Sequence, residues 1–222
     1  MSLWRRSAAE FVATALLLAV VVGSGIMGER LAGGNTAIAL LANSIATGCG
    51  LVALIVTFGP VSGAHMNPVV SLVLALTGRH SGRDIPVYIV AQCAGAIAGV
   101  WIAHAMFAMP ILEASTKVRA GFPQMFAEGV ATFGLLMVIL GGLRHRPESI
   151  PITVGCYITA AYWFTASTSF ANPAVTLARS FTESFAGIRH EDVVGFVIAQ
   201  TVGAAAAFCF DSALYGSSPS SR

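Results

Sequence analysis

Charge is what this chain has least of. Asp, Glu, Lys and Arg make up 10% of its 222 residues, and the only lysine is Lys117. Net charge is +2 with no run of basic residues, so nucleic acid and anionic surfaces are poor candidate partners. Cysteine is also sparse. Cys49, Cys93, Cys156 and Cys209 sit inside apolar stretches without CxxC spacing or companion histidines, and read as small buried hydrophobes, not metal ligands. No nucleophile–base pair, metal-ligand cluster or phosphate loop can be found, so nothing in the sequence argues for an enzyme or a cofactor. What the chain has in quantity is hydrophobic side chain, 56% of it, with a mean hydropathy of +0.78. A soluble domain could not bury that much, which predicts an integral membrane protein.

Two arginines, Arg5 and Arg6, precede the first apolar run. That run is long enough to cross and lacks the usual small-residue cleavage site, so it reads as a retained first span. Taking charges as marks of the water, spans lie between Glu10 and Glu29, between Ile85 and Glu113, from Phe122 to Leu143, and from about Val193 to Ala213. Leu31 to Gly78 and Ser149 to Ala178 carry no charge at all, and each exceeds one crossing of about 20 residues. Each also contains Asn-Pro, in "SGAHMNPVV" (62–70) and "SFANPAVTL" (169–177). A full span followed by a re-entrant half-helix accounts for both lengths. Non-helical backbone at membrane depth must be buried in protein or line a cavity.

The halves repeat. Ala9–Thr14 ("AEFVAT") matches Ala127–Thr132 ("AEGVAT"), Asn67-Pro68-Val69 matches Asn172-Pro173-Ala174, and "AQCAGA" (91–96) matches "AQTVGA" (199–204). The units are about 1–108 and 122–216, within a single channel domain over 1–222. With an odd number of full spans per unit, the second must enter the membrane inverted. Loop charge places both termini inside, with Arg5, Arg6, Arg79, Arg83, Arg144, Arg146 and Arg222 on the cytoplasmic face. Residues 217–221 read as a short disordered tail.

Asn caps a helix well and Pro suits its first position. Asn67-Pro68 and Asn172-Pro173 therefore each start a short helix in mid-membrane, with opposed positive dipole ends. Their amide donors, turned into the gap, would meet water or another neutral solute, and a cation would meet a positive field.

These motifs, with "AEF.AT" and "AE..AT" leading each half, closely resemble the aquaporin and aquaglyceroporin family over nearly the whole chain. The resemblance implies an all-α bundle of six spans and two half-helices, with a pore in each subunit of a homotetramer. It also implies passive flow of water or small neutral solutes across the lipid bilayer, in a bacterial member lying in the inner (plasma) membrane. Val69 stands where the family usually has Ala, a change near the pore centre expected to be tolerated. Glu10 and Glu128 take the places of the family's buried glutamates, each holding the re-entrant loop of its own repeat. Gln92 and Gln200 look like packing residues, and His65 matches a position lining the cytoplasmic vestibule.

Relatives usually carry Arg directly after the second Asn-Pro-Ala, whereas this chain has Val175 there and Arg179 one helical turn later. Arg179 either forms a displaced outer ring at the pore mouth or snorkels to water. By matched spacing the other filter places are Thr47 and Ser169, with Tyr162 or Ala160 as the fourth. Such a filter is wide and weakly charged, which suggests glycerol, urea or neutral metalloid hydroxides such as arsenite; some bacterial relatives with a similar "NPAVTLAR" segment are of the metalloid-conducting kind. The competing readings are a water-selective channel and an inverted-repeat secondary transporter.

Overall fold

A computed structural model describes residues 1–216; the tail at 217–221 and Arg222 lie outside the described residues. Among the described residues there are eight α-helices: α1 (Leu3–Leu31), α2 (Thr36–Ser62), α3 (Pro68–Leu76), α4 (Ile85–Met106), α5 (Phe122–His145), α6 (Ile150–Phe164), α7 (Pro173–Arg179) and α8 (His190–Tyr215). No strand is present among them. α1, α2, α4, α5 and α8 are long and apolar enough to cross a membrane. α6 has 15 residues, which at about 1.5 Å each covers only about three quarters of a hydrocarbon core of about 30 Å. The non-helical segment 165–172 links it to α7.

Local chemistry sets the breaks. Asn35 caps α2 by accepting from the backbone N–H of Ala37 and Ile38 at 3.1 and 3.3 Å. α2 stops at Gly63, whose φ of +94° suits a residue without Cβ. Prolines stand in the first turn of α3 through α7, where a missing N–H costs nothing.

The two repeats pack by one plan. α1 lies on α4 and α2, and α5 lies on α8 and α6. α2 meets α6 across the centre, α7 reaches over to α4, and α3 reaches over to α8. Small residues permit the close crossings. A Cβ on Gly95 would collide with the Phe11 carbonyl, and one on its repeat partner Gly203 with the carbonyl of Gly129. At the central crossing, a Cβ on Gly155 would sit 2.6 Å from the Gly48 carbonyl.

Three expectations need correction. Charged residues do not all mark water: Asp211 is buried inside α8, and Glu10 and Glu128, whose burial the resemblance implies, lie inside their helices and do not bound them, so α1 begins at Leu3, seven residues before the expected start. Each stays buried because it is hydrogen-bonded or paired, as intramembrane carboxylates must be. α4 ends at Met106, short of Glu113. The cysteines are not core residues either. Cys49, Cys156 and Cys209 are exposed on the outside of the bundle and Cys93 is half-exposed, because a small apolar side chain gains nothing from leaving lipid for protein.

Candidate functional site

α3 and α7 begin near one another at mid-bundle, entering from opposite ends. Asn67 Oδ1 accepts from Val69 N–H at 3.1 Å. Asn172 Oδ1 accepts from Ala174 and Val175 N–H at 3.0 and 3.3 Å. Both Asn-Pro pairs thus cap their half-helices in the way the motif dictates. The amide nitrogens do something the sequence did not disclose. Asn67 Nδ2 donates to the Ala171 carbonyl at 2.8 Å, and Asn172 Nδ2 donates to the Met66 carbonyl at 2.7 Å. Each asparagine therefore uses one of its two N–H groups to tie the opposite repeat's loop. One N–H each, not two, is left for the gap.

The loops before the caps hold strained backbone. Ala64, Met66, Thr168, Ser169 and Ala171 all have positive φ without being glycine, a conformation that persists only when its surroundings enforce it. The buried glutamates enforce it. Glu10 accepts from the His65 and Met66 N–H groups at 2.9 and 2.7 Å. Glu128 accepts from those of Phe170 and Ala171, both at 2.8 Å. Gln92 Nε2 bridges Glu10 to Ser71, and Gln200 Nε2 bridges Glu128 to Thr176. Ser62 donates a further bond to Glu10 at 2.6 Å.

One continuous cavity runs along the caps. Thr47, His65, Asn67, Tyr162, Ser169, Phe170, Asn172, Val175 and Arg179 line it, with aliphatic walls from α1, α2, α5 and α6. Glu10, Glu128, Gln92 and Gln200 do not line it. Pro68, Pro173 and Ala174 stand behind the wall, and Val69 turns away into a separate groove with Leu72, Val73 and Ala204. Of the two choices on α6, Tyr162 lines the cavity and Ala160 does not. The Tyr162 hydroxyl is 3.2 Å from Thr47 Oγ1, and the buried Ser169 hydroxyl has no protein partner. At the other end His65 Nδ1 pairs with Ser71 Oγ at 2.9 Å, and its ring packs edge-on against His80.

Arg179 does not snorkel. It is 2% exposed, and its Cζ lies 3.4 Å from the centroid of the Phe170 ring. Phe170 precedes the helix that carries Arg179, so the side chain runs back toward its own N-terminus. Helical Cα–Cβ bonds tilt that way, and four residues rise only about 6 Å, within an arginine's reach. Arg179 Nε donates to the Ala186 carbonyl.

Sequence reading missed two residues here. Phe170 occupies the place of His65 in the second repeat, two before the Asn-Pro, and aligning the repeats would have found it. Arg119 carried no such signal. This loop residue is 9% exposed, donates to the carbonyls of Gly187 and Ser167 at 2.8 and 3.0 Å, and lies 5.0 Å from the Phe170 centroid. Nearby, Lys117 donates to the Phe185 carbonyl at 2.7 Å. Burial, with Arg119 and Arg179 close by, pushes its ammonium down to about 8.

The family profile described as major intrinsic protein matches residues 1–207. Aquaglyceroporin AqpS of Rhizobium meliloti (strain 1021) is 59% identical over 205 residues, covering 92% of this chain and 88% of the relative. Aquaporin NIP2-1 of Oryza sativa subsp. japonica is 31% identical over 182 residues, covering 79% of this chain and 60% of the relative. In fold, the chain is similar to the X-ray structure of the aquaglyceroporin from Plasmodium falciparum, with a TM-score of 0.76 at 22% identity, covering 96% of this chain and 98% of that one. Inverted half-helices capped by paired asparagines and a profile match over nearly the full length lead to one conclusion: the chain belongs to the major intrinsic protein family of multi-pass membrane channels.

Proposed function

We propose that the protein passes small uncharged solutes down their gradients, glycerol and neutral metalloid hydroxides such as arsenite among them, with urea and water as further permeants. The observation that carries this reading is the make-up of the cavity wall. Asn67 and Asn172 face it at the two half-helix starts, whereas Glu10 and Glu128 lie off it with their oxygens engaged by backbone and glutamine donors. Ion coupling needs a titratable or ion-binding group in the path, and the wall offers none at its centre. A positive field from the two helix starts also disfavours cations.

Size follows from Thr47, Tyr162, Ser169 and Val175. At position 175 a valine leaves room that a guanidinium would fill, and this argues against a water-only channel. The hydroxyls of Thr47, Tyr162 and Ser169 give a solute's oxygen a polar wall, with Val175 opposite in chemistry. The name of the 59% identical relative, an aquaglyceroporin, favours glycerol. The working unit is a homotetramer in the plasma membrane, with both termini, Arg6, Arg144 and the His65 vestibule on the cytoplasmic side.

Stopped-flow light scattering on proteoliposomes tests this. Glycerol and arsenite should shrink or swell vesicles faster than in protein-free controls, with rates independent of imposed proton or sodium gradients. Uptake that needs either gradient would favour a transporter. Water flux without any glycerol flux would favour the water-selective reading.

A further inference from the structure

The chain lacks an arginine at position 175, yet two arginines converge on the same region from elsewhere. Arg179 folds back with its guanidinium on Phe170 and lines the cavity beside Ser169, Val175, Tyr162 and Thr47. Its Nη groups donate to no protein acceptor among the described residues, since only Nε is engaged, with Ala186. Arg119 stands on the other supports of that arrangement. It approaches the same ring at 5.0 Å, and its Nε holds the carbonyl of Gly187, the residue next to the one that holds Arg179. The backbone of Ile188 then returns to the Arg179 carbonyl at 3.2 Å. Phe170 is itself pinned, through Glu128 on its N–H and Phe196 edge-on at 5.1 Å. A planar cation on an aromatic face keeps its orientation and its free edge.

We propose that Arg179 is the charge filter of this pore, displaced one turn from position 175, and that Arg119 is the residue that positions it. This rests on the channel reading above and adds a division of labour to it. Val175 leaves the width for a solute larger than water. The cation that excludes protons and metal ions comes from a guanidinium lying flat against the wall on Phe170 and not projecting across the pore. Width and charge, supplied elsewhere by one arginine, are here separated onto two residues of one helix face. A fixed positive charge in a narrow, poorly hydrated passage acts strongly on a permeating cation, because little solvent screens it.

The test uses the full chain in proteoliposomes, with glycerol flux by light scattering and cation leak by an entrapped pH-sensitive dye under a potassium-driven potential. Arg179→Gln keeps a planar, donating group on a shorter side chain and removes the charge. It should raise the ratio of cation leak to glycerol flux by about tenfold or more. The double variant Val175→Arg/Arg179→Gln should become cation-tight again and lose glycerol flux relative to water. Arg119→Gln should leak to a smaller degree, and adding Val175→Arg should abolish that leak, a rescue that a merely structural defect would not show. If Arg179→Gln conducts glycerol and is as cation-tight as wild type, the displaced filter is wrong. A leak in Arg179→Gln without one in Arg119→Gln removes Arg119 from the proposal. A wild type that passes no uncharged solute sinks the channel reading, and the filter with it.

Discussion

Asn172 serves two structures at once, its carbonyl oxygen capping α7 and its amide holding the Met66 carbonyl of the other repeat. Asn172→Ala loses a cap, typically about 1 kcal/mol, and in addition leaves a buried carbonyl short of its donor. The variant should assemble with a lower thermal midpoint in detergent and a reduced glycerol flux. Unchanged permeability would count against a passage running along the caps. Glu128→Gln is a gentler change with a similar direction. The carboxylate accepts three bonds, from Phe170, Ala171 and Gln200, and an amide keeps one oxygen while presenting N–H donors to donors. Flux should fall while assembly is retained. Loss of a proton-dependent component instead would bring the transporter reading back. The capping role of both asparagines was legible from the dipeptide alone, since Asn-Pro satisfies helix-start chemistry locally. The cross-repeat bonds were not, because residues 67 and 171 meet only after the halves interlock.

Among the elements, the half-helices depend on close crossings of the spans that flank them. Gly203 of α8 faces the carbonyl of Gly129 on α5 with no room for a side chain, and Gly95 of α4 faces α1 in the same way. Gly203→Leu should push α8 off α5, displace Gln200 from Glu128 and lower the thermal midpoint in detergent. Gly141 of α5 has open space around its Cα, so Gly141→Ala should raise the thermal midpoint, since an alanine in a helix is favoured by about 0.5–1 kcal/mol. Equal behaviour of the two variants would mean that the crossings are looser than they look. The lengths of the charge-free stretches were enough to anticipate a span plus a half-helix twice over. The start of α1 was not legible, because a carboxylate such as Glu10 looks identical in sequence whether it marks the end of a span or lies buried within it. What separates the two cases is the set of loop N–H groups that folding brings to the carboxylate.

For the whole molecule, the cavity is lined by residues of α1, α2, α3, α5, α6 and α7 and of the loops before α3 and α7. Val175→Arg adds bulk at the filter, so the ratio of glycerol to water flux should drop, by about tenfold if the passage closes to single-file width. With the proposed Arg179 filter in place, cation tightness should not change. A ratio equal to wild type would place the constriction elsewhere. The sequence by itself determined the membrane setting, the inverted duplication and the two capped half-helices, because hydropathy, repeat spacing and Asn-Pro chemistry are local or periodic signals. It also determined that position 175 lacks its arginine. Only the tertiary structure decided where the Arg179 guanidinium lies, on the Phe170 ring at the cavity wall. The Arg179 side chain lies on Phe170 and donates to the Ala186 carbonyl, with Arg119 on the same ring. These come from separate parts of the chain, and their meeting point is set by packing, which no spacing in the sequence encodes.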